Sequence, residues 1–458
     1  MYLGVLLNRV FRINNNSLFD YVLHNQDKIK KLYLIIPLED LSDAGKAKQD
    51  YYESVASGFI NSLQQHNIHP YIVPYKTLPT LANQLELSHI LIGKDIMSYH
   101  HDEYDFPHLK SRFNNFNIKV IGKRVNHYFK PSSTLNKQLH PYKIFTSFYK
   151  ANRKYIAKRS NRNYDLKQLS QIAEKGSNQS KLSLRYTQDL EEMALKDWQN
   201  FLDFDISSYK DLTNDISNDY VSGLSIYLAF GLVDIQEIIN DLLNGYDSDE
   251  VNYEAYIREL MFREFYYILM TYYPATATQS FNKKYRTIQW SEHTQNFEAW
   301  KNGETGFPIV DAAMQKLKQT GFMHNRLRMI VSQFLTKDLF IEWTLGECYF
   351  RKYLIDYDNA SNVHGWQWSA STGTDAAPYF RMFNPVRQSE RFDLQGDFIK
   401  SRLSIFKNIP SKFIHDPTSN KDILKSKHNI TVGIDYPKAL IDHKLSRDLV
   451  IETFKSLK

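Results

Sequence analysis

Cysteine is almost absent: Cys348 is the only one in 458 residues. A single thiol excludes an intramolecular disulfide and a cysteine-rich zinc site, and it fits a reducing cytoplasm. No apolar run approaches the roughly 20 residues needed to cross a bilayer, so a soluble, intracellular protein with no membrane partner is expected. The opening Met1 to Leu7 is apolar, but Arg9 cuts it short and no basic segment precedes it; it reads as a buried strand rather than a signal peptide. No Gly-x-Gly-x-x-Gly follows that strand, which excludes a dinucleotide fingerprint. Charge of one sign is lacking as well. The 57 Lys+Arg against 51 Asp+Glu leave +6, which permits a nucleic-acid partner without arguing for one. Internal repeats and low-complexity tracts are missing too.

What is present is length, apolar content and aromatic rings. A chain of 458 residues, 42% hydrophobic, supports two domains with substantial cores. Up to about residue 125, strand-like runs (Tyr2 to Leu7, Leu32 to Pro37, Tyr71 to Val73, His89 to Ile92, Ile118 to Ile121) alternate with helical patterns, notably Leu18 to Ile29 and Lys46 to Gln65. That alternation predicts a Rossmann-like parallel sheet covered by helices. Residues 126–186 loosen into an interdomain linker containing a basic stretch from Lys150 to Arg162. Such a cluster is more often a solvated surface than a DNA contact. From residue 187 to 458 helical periodicity dominates, punctuated by Pro274, Pro308, Pro378 and Pro385. The expected fold is an α/β domain, 1–125, followed by a larger all-α domain.

Three patches in the second half concentrate chemistry. In a helix over Tyr253 to Tyr267, Glu259, Phe262 and Arg263 fall on neighbouring surface, a carboxylate beside a ring. By the same spacing a helix from His324 to Thr336 gathers Asn325, Arg328 and Met329: a donor–acceptor, a cationic fork and a polarisable apolar group. Asp356 and Asp358 are candidate partners for a buried arginine. Their spacing to Asn362 is not that of a calcium loop, and a solvated loop also remains open. Third, Trp366 and Trp368 belong to a set of only six tryptophans. They share a face if the segment is extended and point nearly opposite ways if it is helical. Taken singly, each patch is also compatible with an ordinary core or surface.

Together with Glu298 to Met314, Gly321 to Ile330, Gly365 to Arg381 and Phe383-Asn384-Pro385, these patches resemble the DNA photolyase/cryptochrome family, most of all its class I cyclobutane pyrimidine dimer branch. The near-continuous match runs from about Tyr253 to Lys400 and returns at Tyr436 to Ser446. The resemblance implies FAD held in a bent conformation by Tyr209, the phosphate loop Val221, Ser222, Gly223, Leu224 and Ser225, and by Tyr256, Arg263, Arg328, Asp356, Asp358 and Asn362. Val221 and Gly223 depart from the usual Thr and Arg of that loop, and Val363 and His364 from a common Asn-Gly. Trp366, Trp343 and Trp290 fall on the family's electron-relay positions. Glu259, Asn325, Met329 and Trp368 match contacts to a flipped pyrimidine dimer. Phe262 stands where most relatives have Trp, so Phe262→Trp is expected to tighten lesion binding. Arg326 and Arg381 align with phosphate contacts, Arg387 and Lys400 less clearly. No metal is implied.

The implied activity is light-driven repair of cyclobutane pyrimidine dimers by electron transfer from excited FADH⁻, on damaged DNA and by a monomer. The rivals are a cryptochrome-type blue-light photoreceptor, a six-four photoproduct photolyase and a non-catalytic single-strand binder. Met329, where six-four enzymes favour histidine, argues against the second. The α/β domain's family role implies a second, antenna chromophore: methenyltetrahydrofolate, a deazaflavin or a flavin. The stretch from Tyr99 to Arg112 does not choose among them.

Overall fold

The computed structural model describes residues 1–96, 106–162, 164–184, 186–217, 221–292 and 294–457. Five parallel strands form the N-terminal sheet: β1 (Tyr2–Leu6), β2 (Lys31–Leu38), β3 (Tyr71–Pro74), β4 (His89–Gly93) and β5 (Lys119–Lys123). Their order is β3-β2-β1-β4-β5. Both neighbours of β1 pair with it in parallel, Val5 opposite Leu34 on one side and Leu91 on the other. Helices cover both faces, which is why β1 and β2 read as nearly unbroken apolar runs rather than alternating ones. Chain direction across the sheet reverses between β1 and β4. Doubly wound sheets bind ligands outside the carboxyl ends of the strands at such a point.

Of the stretch from Tyr99 to Arg112, residues 99–105 lie outside the described residues, and the rest belongs to a helix, Phe106–Asn114. The segment 126–186 crosses back along the sheet, with Ala173 bridging Leu32 and Asn178 bridging Ile72. Among the described residues beyond it no further strand of the sheet occurs and helices take over.

Two large apolar clusters organise the molecule. One joins the sheet's helices to Tyr256, Ile257, Leu260 and Phe265 of the long helix Glu250–Tyr272. The other gathers Trp300, Met314, Leu335, Trp343 and Trp366. Tyr266 packs against both, so the long helix ties the two together. Asp249 caps it, accepting from the Asn252 N–H at 3.2 Å, and Pro274 follows its end.

Candidate active site

Three helices meet where the sequence patches fall: Glu250–Tyr272, Asn325–Gln333 and Asn359–Ala370. The last lies between the others. It is joined to the first by Tyr266 stacked on His364, and to the second by a 2.6 Å hydrogen bond between the Ser332 and Ser369 hydroxyls. Asp358 begins it as an N-cap, accepting from the Ser361 N–H at 2.8 Å, so an aspartate with a serine three residues on was the local signal for a helix rather than a loop. Because Asn359–Ala370 is helical, Trp366 and Trp368 point to different faces. Trp366 is buried at 2% exposure, whereas Trp368 is half-buried.

The charged residues pair as their types suggest. Arg328 holds Asp356 through Nη2 at 2.7 and 3.0 Å and donates Nε to the Met323 carbonyl at 2.7 Å. Arg263 Nε lies 3.6 Å from Asp358 Oδ2, while its Nη1 donates to the Asn126 carbonyl at 2.8 Å. Burial pushes the Asp358 carboxyl up. Arg263, His127 and the hydrogen bonds from Ser361 outweigh it and hold the carboxyl below its ordinary range. Asn362 donates to Glu347 Oε1 at 3.0 Å, a buried carboxylate that also accepts from Tyr357 at 3.1 Å. Glu347 and His127 were not singled out in the sequence; His127 lies outside the patches and pairs at 2.9 Å with Glu264, which belongs to the Tyr253 to Tyr267 patch.

Tyr209, Tyr256 and Ser222 form one wall. The tyrosine rings are 4.9 Å apart and the Ser222 and Tyr256 hydroxyls share a 2.6 Å bond. Gly223 has φ +67°, a left-handed conformation that explains why glycine stands there. A Cβ added at Gly223 or at Gly365 would meet nothing within 4 Å, so the backbone at both opens on free space. Val221 is half-buried and Ser225 exposed beside Leu224. Open backbone beside hydroxyls, with two aspartates held by arginines, is a cradle that fits FAD.

Glu259 and Asn325 are exposed; Met329 is half-buried. The atoms packed around the Glu259 carboxyl push it up, against the opposing pull of Arg258. Phe262 lies flat on Phe145, a residue of the linker that the sequence did not single out. Arg326 is half-buried, its Nε and Nη2 both directed at Asn214 Oδ1, and its guanidinium lies 4.5 Å from the Phe392 ring. Arg381 and Arg387 are exposed, and Lys400 turns back to the Gln395 carbonyl at 2.7 Å.

Trp366, Trp343 and Trp290 share one apolar cluster and grade outward: Trp366 and Trp343 are buried at 2% and 1%, and Trp290 is half-buried. The Trp366 ring contacts Phe350 and Trp300 at 5.0 and 6.1 Å. It also fills the space over Gly346, in the helix that Trp343 begins.

A cavity of about 370 Å³ separates the carboxyl ends of β1, β2 and β4 from the Asp358 end of the central helix. Arg9, Lys48, Arg351 and Arg263 line it, as do Asn8, Asn126 and Asn359, whose buried Oδ1 atoms have no hydrogen-bond partner among the described residues. Burial lowers the Lys48 ammonium to about 7.

A doubly wound sheet joined to a helical flavin cradle defines a flavoprotein of the photolyase type. Residues 256–456 match the FAD binding domain of DNA photolyase. The chain is 39% identical over 339 residues to a deoxyribodipyrimidine photo-lyase of Alkalihalophilus pseudofirmus, covering 71% of this chain and 70% of that protein. It is 46% identical over 241 residues to the enzyme of the same name from Salmonella typhimurium, spanning 52% of this chain and half (50%) of that relative. A bacterial class III photolyase from Agrobacterium tumefaciens superposes with TM-score 0.85 at 25% identity, over 100% of this chain and 97% of that one. The chain belongs to the photolyase/cryptochrome family.

Proposed function

We propose that this chain is a carbon–carbon lyase that repairs cyclobutane pyrimidine dimers in DNA under light. One observation carries the reading. Glu259 lies on one helix and Asn325 and Met329 on another, and both helices pack against the central helix that carries Trp368, presents Asn362 and starts at Asp358. A group that clasps a flavin and a group that accepts an extruded base pair are thereby built on one element. Bound in reduced form, FAD supplies light absorption and the electron that opens the cyclobutane ring.

The protein's own residues do the rest. The Arg328–Asp356 and Arg263–Asp358 pairs fix the orientation of the cradle without leaving an isolated buried charge. Glu259 offers a carboxyl to hydrogen-bond the pyrimidine edge. Asn325 offers a donor and an acceptor, and Met329 an apolar contact. Extrusion of the lesion is physically necessary, and a damaged pair leaves the stack at reduced cost. The lone exposed Cys348 suits a reducing cytoplasm, and no helix among the described residues is long and apolar enough to cross a membrane.

The cavity at the carboxyl ends of the strands suits a second chromophore. Its unpaired carboxamide oxygens favour a polar heterocycle bearing hydrogen-bond donors, while Glu39, Asp40, Asp43, Asp95 and Asp358 balance the charge of its cations. Chromatography of the pigments released by gentle denaturation identifies it.

The repair reading is tested with two oligonucleotides, one holding a defined thymine cyclobutane dimer and the other a six-four photoproduct. Under blue light the first returns to thymines and the second does not; neither changes in the dark. Dimer loss that is absent, or equal in light and dark, refutes the proposal.

A further inference from the structure

An opening of about 750 Å³ lies at the far end of the Glu250–Tyr272 helix. Tyr272, Tyr273 and Phe281 form its aromatic lining, and Lys143, Lys283 and Arg286 its charge; none of the residues lining it is acidic. Tyr273 meets Phe281 edge to face at 5.1 Å, and the Lys143 ammonium lies 5.8 Å from the Phe281 ring. The three cations and Tyr272 are exposed. The helix's carbonyl end brings roughly half a negative charge to this place, which three full positive charges outweigh.

The groove is hydrogen-bonded to the helix that carries Trp368 and to the loop after it. Gln367, between the two tryptophans, accepts from the Phe281 N–H at 2.8 Å and donates to the Thr276 carbonyl at 2.8 Å. The Asn282 N–H donates to the Thr372 carbonyl at 3.0 Å, in the loop just past Trp368. On the other side Lys143 is two residues from Phe145, whose ring covers Phe262.

We propose that this groove is a second DNA subsite, holding the strand that flanks the extruded dimer on one side, with bases against the rings and phosphates on the lysines. The inference rests on the repair reading above. Charge complementarity selects an anion, and aromatic walls without acidic neighbours select one that carries stacking rings. The helix sets the reach: thirteen residues from Glu259 to Tyr272 span about 20 Å, roughly six nucleotides of one strand at about 3.4 Å each.

The test uses the FAD-loaded full chain in the dark and duplexes with one central dimer. One duplex carries long flanks, and two are cut to about three nucleotides on one side or the other. Binding is titrated against salt for the unaltered chain and for the Lys143→Gln, Lys283→Gln double variant, whose exposed positions leave the fold intact. On the long duplex the variant's plot of log affinity against log salt is shallower by about 2. On one of the two shortened duplexes the variant and the unaltered chain coincide. An unchanged slope on the long duplex overturns the proposal, as does an equal reduction on all three, which marks a general charge effect. Saturable binding of free AMP that the long duplex fails to displace also overturns it. An unaltered chain that shows no preference for dimer over undamaged duplex refutes the repair reading itself, a separate result.

Discussion

Phe145 and Phe262 lie face to face, centroids 3.3 Å apart and planes within 12°. One begins a helix that follows the sheet, the other belongs to the helix bearing Glu259, so a segment far away in sequence packs directly beside Glu259's helix. Arg258 adds a cation 5.4 Å from the same Phe145 ring. Phe145→Ala frees Phe262 to rotate, and dimer affinity in a dark gel shift is expected to fall by about 1 kcal/mol, at the low end of a base-stacking contact. Phe262→Trp is expected to tighten it, because an indole keeps the stack and extends past it; equal or weaker binding contradicts that.

Asp358 has two tasks that a substitution separates. Asparagine caps a helix about as well as aspartate, so Asp358→Asn keeps the start of the central helix. It removes the charge opposite Arg263. FAD affinity, read by fluorescence titration, is expected to drop on the order of tenfold, about 1.4 kcal/mol. Unchanged affinity with an unchanged helix content removes Asp358 from the flavin cradle.

Trp366→Phe tests the relay. Phenylalanine keeps a ring beside Phe350 but withdraws the indole edge that fills the space over Gly346, so a lower Tm is expected while folding and dark dimer binding persist. Light-driven reduction of the bound flavin by an external thiol is expected to fall at least tenfold, because an electron that loses its nearest stepping stone must make one long hop. A rate equal to the unaltered chain's places the electron's path elsewhere.

Two buried lysines set the alkaline stability. Burial lowers Lys48 and Lys337 from 10.5 to about 7. Between pH 7 and 10.5 the unfolded chain binds protons at these positions that the folded chain does not, so stability rises with pH across that window. Tm is expected to be higher at about pH 9.5 than at pH 7. Lys337, which donates to the Ser371 hydroxyl at 2.7 Å, carries about half of the rise. Lys337→Met is expected to raise Tm at pH 7 and flatten the slope; a slope unchanged by the substitution contradicts the assignment.

Among the arginines aligned with phosphate contacts, the structure separates two. Arg381 is exposed, whereas Arg326 already directs two nitrogens at Asn214. Arg381→Gln is expected to make the salt dependence of DNA binding shallower by about 1. Arg326→Gln is expected to change it less and to lower Tm as well, since Asn214 loses its partner.

The strands and the long helices were legible because their signals are local. Apolar runs of three to six residues and the helical spacing of Glu259, Phe262 and Arg263 need no knowledge of distant chain. The need of a buried arginine for a carboxylate made Asp356 legible as a partner, and the structure joins it to Arg328; the Arg263–Asp358 contact was not foreseen. What stayed hidden depends on long-range packing. Nothing near Phe145 announces a partner more than a hundred residues away, and Glu347 becomes Asn362's acceptor only when two helices cross. The choice between an extended and a helical segment at Trp366 and Trp368 was open until the cap at Asp358 closed it. The unpaired oxygens of Asn8, Asn126 and Asn359 come from three separate segments and converge only in the folded chain.

FAD content of the purified, folded chain tests the flavin cradle, on which everything else rests. The expected result is a yellow or blue protein that holds at least one FAD per chain, released only on unfolding and lost in part from Asp358→Asn. A folded chain that is colourless and takes up no added FAD contradicts the account.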